Sequence, residues 1–335
     1  MCVTTTIVML KTREPLATAI AWGTDVESLE SWTAPASLES RIVTTLEIAN
    51  RWGYGLAERE ISGLLYGGPE DDAAVVNALA SSSAVTFRDG FATMKGRDEL
   101  IDKCVARRSS NGKLATTYFE IAEEFAKDLL RLSPFVRSVA VCGSAASGGL
   151  EEGDDIDFNL FAEDGAKYIV YVTALLLGVK YSLRHGRRFS GGASFLGILR
   201  KVTCVNVVWR ESDCRPFARQ DPFLAFELLR SVPIAGTEHF AAIVRANPWL
   251  RLHFPQIFGR VHADRVPPQP LSLLARAQRN LVRSPRVRRA LEAGARAIAS
   301  ALHAIIRLSR GRDPEALARQ AFLRRVKFPY DVFQD

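Results

Sequence analysis

Residues 139–158 read Val139-Ala-Val-Cys-Gly-Ser-Ala-Ala-Ser-Gly-Gly-Leu-Glu-Glu-Gly-Asp-Asp-Ile-Asp-Phe158. A short apolar run ends at Gly143-Ser144, and after a spacer of ten residues Asp155 opens a second apolar run that also contains Asp157. The pattern predicts a strand, a tight turn, a short helical or loop insert, and a second strand. Because successive side chains of a strand point to opposite faces, the two aspartates are expected to share one face.

Two carboxylates on one strand face suggest a metal site. They lie about 7 Å apart along the strand and repel each other unless a cation sits between them. Mg²⁺ takes oxygen ligands and usually binds one or two carboxylates together with substrate phosphates. Gly143 lets the backbone approach a phosphate closely, and amides that open a helix attract anions. The stretch therefore predicts a site for a divalent cation and a phosphate group.

Gly-Ser, the ten-residue spacer and Asp-hydrophobic-Asp-hydrophobic together resemble the signature of the polymerase-β-like nucleotidyltransferase superfamily. The resemblance implies an Mg²⁺-dependent enzyme that transfers a nucleoside monophosphate from an NTP to a hydroxyl group of a small molecule or protein, with release of pyrophosphate. It implies that Asp155 and Asp157 are catalytic and hold the metal. It also implies that Gly143 and Ser144 grip the β- and γ-phosphates.

The third metal ligand departs from the pattern of the superfamily. Many members take a third carboxylate from a later strand, in a hydrophobic-Asp-hydrophobic context, where this chain has Val205-Asn206-Val207. The resemblance makes Asn206 the expected third metal ligand, although its amide has no charge and cannot act as a base. Glu211 and Asp213, just beyond this strand, are the alternative ligands. Catalysis with two carboxylates, a base from elsewhere, and a nucleotide-binding fold without transfer all remain open.

A second candidate for phosphate binding is the basic end of the helix predicted at residues 166–185. The basic side chains there are Lys180, Arg184, His185, Arg187 and Arg188. They are favourable at a helix C-terminus, or they clamp a triphosphate, and both interpretations remain open. Arg187 and Arg188 are the nucleotide-binding candidates.

The predicted fold class is α+β: a small mixed nucleotidyltransferase sheet flanked by helices, with a winged-helix-like domain before it and a helical tail after it. Residues 1–38 are expected to be an extension and 39–112 the winged-helix-like module, which ends in a hairpin around Asp89-Gly90. Residues 113–258 form the core and 259–335 the basic tail. Separate helices are expected at 98–108 and 113–132. From about residue 40 to 258 the chain also resembles prokaryotic nucleotidyltransferase-domain proteins with a winged-helix-like N-terminal part.

The distribution of charge along the chain indicates which nucleic acids the protein could bind. Residues 259–335 contain 16 Lys and Arg and 6 Asp and Glu, a net charge of +10, whereas the whole chain carries +7. RNA is therefore a possible partner of the tail, and RNA modification is an alternative function. The third helix of the module has no Lys or Arg from residue 70 to 82, so DNA is an unlikely partner. A DNA-binding regulator with an inactive transferase fold is the other alternative.

Composition describes an ordinary globular chain of 335 residues, 47% hydrophobic and 24% charged. Its five cysteines form no CxxC pair, which favours reduced thiols and a cytoplasmic location. The longest uncharged apolar run, residues 168–179, is too short to span a bilayer. The helix predicted at 287–308 has one apolar stripe, which packs on the core or forms a homodimer seam: Leu291, Ala295, Ile298, Leu302, Ile305 and Ile306.

Overall fold

The structure is a computed structural model that describes residues 37–51, 53–186, 194–195 and 199–309. The predicted α+β class is confirmed, with a four-stranded mixed sheet, two small antiparallel sheets and flanking helices in the described residues. The predicted extension lies outside the described residues apart from its last two positions. None of the described helices is long and apolar enough to cross a membrane.

The N-terminal part contains three helices and a three-stranded antiparallel sheet in the order β1-β3-β2. The hairpin predicted around Asp89-Gly90 joins β2 to β3, and both turn residues have positive φ, 55° and 74°. Asp and Gly are favoured in such two-residue hairpin turns. These elements are α1 (Leu38–Arg51), β1 (Leu56–Ala57), α2 (Glu58–Leu64), α3 (Asp72–Ser81), β2 (Val85–Arg88) and β3 (Phe91–Met94). The long helix α4 (Glu99–Leu132) follows them and leads to the main sheet.

Helix α4 is one continuous helix of 34 residues, which contradicts the two separate helices predicted from the sequence. The prediction rested on Ser109-Ser-Asn-Gly112, where glycine costs about 1 kcal/mol relative to alanine. Tertiary packing outweighs that cost at both ends. Ile101 is buried in the core of the N-terminal part, and Phe125 is buried against the main sheet. The helix thus passes without interruption through the expected module boundary at residue 112.

The main sheet has the strand order β8-β5-β4-β9. Strands β5 and β8 are parallel, and β4 is antiparallel to both of its neighbours. The elements are β4 (Val136–Cys142), α5 (Gly143–Ser147), β5 (Ile156–Ala162), α6 (Lys167–His185), β6 (Ser194–Phe195), β7 (Leu199–Arg200), β8 (Thr203–Arg210), α7 (Pro222–Arg230), β9 (Val232–Ala235), α8 (Thr237–Arg245) and α9 (Leu250–His253), with 3-10 turns at Glu211–Asp213 and Pro255–Gly259.

Helices cover both faces of the main sheet. Phe158 and Leu160 of β5 point toward α4 and α6, whereas Phe161 belongs to a second apolar cluster that includes α7 and α8. Because β5 alternates, Asp155 and Asp157 lie on the same side as Phe161. The second cluster also contains the buried residues of α1, α2 and α3. The N-terminal part and the sheet therefore share one continuous core.

Strand β9 is an edge strand that the sequence did not predict. It contains Pro233, which cannot donate a hydrogen bond to a neighbouring strand. β9 pairs only with β4 among the described strands, so proline is tolerated at this edge. The four-residue strand is also short, and local sequence alone favours a turn there.

The tail contributes α10 (Leu273–Leu281) and α11 (Pro285–Ser309). Ala299 of α11 is buried in the core cluster, and Ala295 packs against it. The predicted apolar stripe is only partly covered, since Leu291, Ile298 and Ile305 are 43%, 52% and 50% exposed. Core packing therefore accounts for one side of the stripe, and the homodimer seam stays a prediction.

Candidate functional site

The site begins where β4 runs into the short helix α5. Gly143, the first residue of that helix, has φ +65°, a conformation that L side chains rarely adopt. A β-carbon at Gly143 would overlap Oδ2 of Asp157 and would lie 3.1 Å from its Cγ. Glycine is therefore required here for two reasons, the backbone conformation and the close approach of the Asp157 carboxylate.

The two predicted aspartates converge with a cysteine from β8. Asp155, Asp157 and Cys204 each offer a ligand atom within 4.8 Å of the others. Their exposures are 2%, 4% and 3%. Both oxygens of Asp155 and Oδ1 of Asp157 are fully enclosed, and none of these three oxygens accepts a hydrogen bond from the described residues. Buried oxygens without a partner are costly, so the cluster suits a cation that would satisfy them.

Lys201 supplies part of the positive charge that the cluster needs. Its Nζ lies 2.9 Å from Oδ2 of Asp155, and its side chain is 13% exposed. Lys201 thus forms an ion pair with Oδ2 of Asp155, whereas Oδ1 of Asp155 and Oδ1 of Asp157 have no partner among the described residues. One ammonium group faces two carboxylates, so Lys201 does not balance both negative charges.

The protonation of Asp157 reflects this enclosure. Burial, followed by the nearby Asp155 carboxylate, raises the pKa of Asp157 well above the ordinary value for an aspartate, and Lys201 acts in the opposite direction. Two like charges in a low-dielectric site disfavour ionisation of one of them. A cation bound between the carboxylates would reverse that preference.

Asn206, the predicted third ligand, turns toward two cysteines. Its Nδ2 donates a hydrogen bond to Sγ of Cys142 over 3.2 Å, and Sγ of Cys204 lies 3.9 Å from its Oδ1. The pairing of β5 with β8 shifts beside Asn206, and Cys204 is the residue directly opposite Asp157. The structure thus brings Cys204 beside the aspartates, and a metal-ligand role of Asn206 stays a prediction.

Glu211 and Asp213 do not replace the missing carboxylate. They follow the far end of β8, about 23 Å along the strand from Cys204 at roughly 3.3 Å per residue. Asp213 accepts hydrogen bonds from Nε and Nη2 of Arg210, and Glu211 pairs with Arg215 over 3.3 Å. Strand direction is the reason, since only the start of β8 lies beside the aspartates.

The phosphate-gripping candidate Ser144 lies one residue beyond Gly143 and is 5% exposed. Its hydroxyl has no hydrogen-bond partner within the described part of the chain, while its carbonyl accepts from Gly149 N over 3.1 Å. Asp154 has a different role from its neighbour Asp155. Its Oδ2 accepts a hydrogen bond from Glu151 N over 3.0 Å, so it closes the turn before β5.

The N-terminal part supports this turn from outside. Arg107 of α4 pairs with Glu151 over 2.7 Å, and the hydroxyl of Tyr118 donates to the Glu151 carbonyl. Arg230 of α7 donates from Nη2 to the Ser147 carbonyl over 2.8 Å, and its guanidinium lies over the ring of Tyr54. These contacts connect α4 and Tyr54 with the segment that joins β4 to β5.

The basic end of α6 divides into two parts. Lys180 pairs with Asp128 over 2.7 Å and Arg184 with Glu124 over 3.0 Å, so both side chains bind carboxylates of α4. This favours the structural interpretation for these two residues. Arg187 and Arg188, the nucleotide-binding candidates, lie outside the described residues.

Sequence reasoning missed Cys204, Lys201 and Arg230. Cys204 is two residues before Asn206 on the same strand, and its place beside Asp157 follows only from the parallel register. Lys201 precedes an apolar strand, which is an unusual position for a charged side chain and could have drawn attention. Arg230 gave no signal, because a basic residue at the end of a helix is common.

Comparison with protein-family models, with curated proteins and with solved structures found no significant match to this chain. The assignment of function therefore depends on the residues of the site.

Proposed function

We propose that this protein is a nucleotidyltransferase that binds a divalent cation, such as Mg²⁺, and a nucleoside triphosphate at Asp155 and Asp157. The observation that carries the proposal is the pair of buried carboxylates, since Oδ1 of Asp155 and Oδ1 of Asp157 have no partner among the described residues and Lys201 alone pairs with Oδ2 of Asp155. A structural role would normally supply such partners. The glycine turn at the end of the neighbouring antiparallel strand β4 lies against Asp157, which adds support.

The residues at the site fit a divalent cation, since oxygen donors of Asp155 and Asp157 converge and need positive charge. When bound, the cation would neutralise phosphate charge and polarise an acceptor oxygen. Gly143 keeps the space beside Asp157 free of a side chain. The hydroxyl of the buried Ser144 is the proposed hydrogen-bond donor to a phosphate oxygen. Lys201 would add a second positive charge beside that of the cation. Its ammonium group would release the Asp155 carboxylate to the cation and would contact the triphosphate.

In the proposed reaction an acceptor hydroxyl attacks the α-phosphorus of the triphosphate. The new bond joins the acceptor oxygen to the α-phosphorus, the bond from the α-phosphorus to the bridging oxygen breaks, and pyrophosphate leaves. The hydroxyl proton passes to a base or to water. A small molecule or a protein is the proposed acceptor, because the chain outside the tail carries a net charge of −3.

The N-terminal part is proposed to be a winged-helix-like module that positions the turn. Three helices followed by a small antiparallel sheet support this arrangement. Its contacts through Arg107 and Tyr118 with Glu151 favour a positioning role. The absence of Lys and Arg from α3 argues against sequence-specific DNA binding by this helix.

Binding of NTP tests the proposal directly. Titration calorimetry of the full chain with each ribonucleoside triphosphate is expected to show binding that requires Mg²⁺ and is lost in Asp157→Asn. Asp128→Asn is the matched control, because Asp128 pairs with Lys180 outside the cluster and should leave binding intact. If well-folded protein binds no triphosphate in the presence of either Mg²⁺ or Co²⁺, the proposal is wrong.

RNA as the acceptor stays a prediction. Arg265, Arg288 and Arg296 of the tail contact Glu123, Glu163 and the ring of Tyr168, so part of the basic charge serves packing. Retention of tRNA on filters at two salt concentrations distinguishes the acceptor classes, since phosphate contacts weaken steeply with salt. Salt-sensitive retention would favour RNA over a small molecule or protein.

A further inference from the structure

Cys204 occupies the position beside the carboxylates that a third ligand would fill. In the register of the sheet, Asp157 lies between Cys142 on β4 and Cys204 on β8. Paired residues on neighbouring strands point to the same face, so the three side chains form one row across the sheet. Of the two thiols, only that of Cys204 falls within 4.8 Å of both aspartates.

The spacing of the three donors fits one metal ion. Bonds of about 2.0–2.3 Å to oxygen and sulfur place two donors of one tetrahedral ion roughly 3.5 Å apart. The three donor atoms all lie within 4.8 Å of one another, so side-chain shifts of about 1 Å would bring them to one ion. The unpartnered oxygens of Asp155 and Asp157 are a second, independent sign that a ligand belongs here.

Asn206 fixes the arrangement of the two thiols. Its amide group donates to Sγ of Cys142, and its Oδ1 accepts a long hydrogen bond of 3.9 Å from the thiol of Cys204. Burial raises the pKa of Cys142 well above the usual thiol value, which keeps this cysteine neutral. Cys142 and Cys204 are separated by β5, about 9–10 Å, which is too far for a disulfide bond. The pair is therefore unsuited to disulfide chemistry.

We propose that Cys204 is the third protein ligand of the metal site, and that the site prefers a thiophilic divalent cation of the zinc class to Mg²⁺. Thiolate is a soft ligand that favours Zn²⁺ and Co²⁺, whereas Mg²⁺ binds oxygen. On binding, the S–H bond of Cys204 breaks, a sulfur–metal bond forms and the proton passes to solvent. The inference shares the aspartate pair with the proposed function and deepens it by naming the class of cation.

Co²⁺ is the probe, because thiolate coordination produces a charge-transfer band that carboxylates alone do not produce. Metal-free full-length protein is titrated with Co²⁺ and followed by absorption. The expected result is one equivalent of Co²⁺ with a thiolate band, absent in Cys204→Ser and Cys204→Ala and retained in Cys142→Ser. We expect the Cys204 variants to bind Co²⁺ on the order of 100-fold more weakly, since even loss of an outer-shell partner costs roughly 10–100-fold.

Circular dichroism of each variant identifies any that fail to fold. Two substitutions at Cys204 are used so that one folded variant is sufficient for the test. A spectrum without a thiolate band in the wild-type protein, or a band that survives in a folded Cys204 variant, overturns the inference. Binding of NTP with Mg²⁺ is measured on the same proteins. If it persists in Cys204→Ser and disappears in Asp157→Asn, the proposed function stands whether or not Cys204 is a ligand.

Discussion

Gly143 and Asp157 are in direct contact across the pair of strands β4 and β5, with no room for a β-carbon at Gly143 between them. The contact places the backbone of the turn against a carboxylate that lies 4% exposed. The turn and the aspartate can therefore act on one ligand together. Several consequences of this arrangement can be measured.

Substitution Gly143→Ala should displace the Asp157 carboxylate. Alanine at φ +65° costs about 1–2 kcal/mol, and its methyl group would overlap Oδ2. Gly96→Ala is the matched control, because Gly96 has φ +84° with open space around it. Urea unfolding and cation titration should show that both variants lose stability and that only Gly143→Ala loses cation binding. Equal loss of stability with intact binding in both would contradict the contact.

Substitution Asp157→Asn should stabilise the protein in the absence of divalent cations. It removes an ionisable group that burial and Asp155 disfavour in its charged form, and we expect a gain of about 1–2 kcal/mol in the free energy of unfolding. Added cation should then stabilise the wild-type protein and not the variant. Thermal unfolding with and without cation measures both effects. A variant that is less stable than the wild type without cation would argue for a structural role.

Glu292 of the tail caps a helix of the core. Its carboxylate oxygens accept hydrogen bonds from the amides of Tyr168 and Ile169 over 2.8 and 3.1 Å, in the first turn of α6. Glu292→Ala should cost about 0.5–2 kcal/mol in the free energy of unfolding, as for loss of a helix cap. Glu292→Gln keeps one acceptor oxygen and should lose less. Equal losses in the two variants, measured by urea unfolding, would show that the cap contributes little.

Protonation of the buried His253 should destabilise the folded protein in acid. Burial lowers its pKa below the ordinary value of 6.5, and its Nδ1 lies 2.9 Å from the hydroxyl of Tyr66. Below pH 6.5 the unfolded chain binds a proton that the folded ring resists, so stability falls as pH falls through this range. His253→Gln should reduce the slope of unfolding free energy between about pH 8 and about pH 5.

Tyr66→Phe is the control for the hydrogen bond itself. It removes the hydroxyl contact and leaves the titrating ring, so it should lower stability by about 0.5–1.5 kcal/mol and retain the acid slope. His239 and His262 also have lowered pKa values, so His253→Gln reduces the slope without abolishing it. An unchanged slope in His253→Gln would assign the effect to those two histidines.

Local sequence determined the elements that depend on neighbouring residues. The apolar run of β4 ends at the glycine turn as predicted, and β5 begins at Ile156, directly after Asp155. Asp221 and Pro222 begin α7, because the Asp221 carboxylate accepts hydrogen bonds from the amides of Phe223 and Leu224 and proline suits the first helical position. Capping, turn chemistry and strand alternation act over a few residues, which explains why they are readable from the chain.

Tertiary structure decided what depends on distant residues. Packing at both ends keeps α4 continuous through Gly112, and β9 tolerates Pro233 because β4 is its one partner among the described strands. The parallel register of β5 and β8 placed Cys204 opposite Asp157 and turned Asn206 toward Cys142. A shift of one residue in that register exchanges the side chains that face the carboxylates. The sequence by itself determined the pair of aspartates and the turn, whereas strand pairing decided their third neighbour.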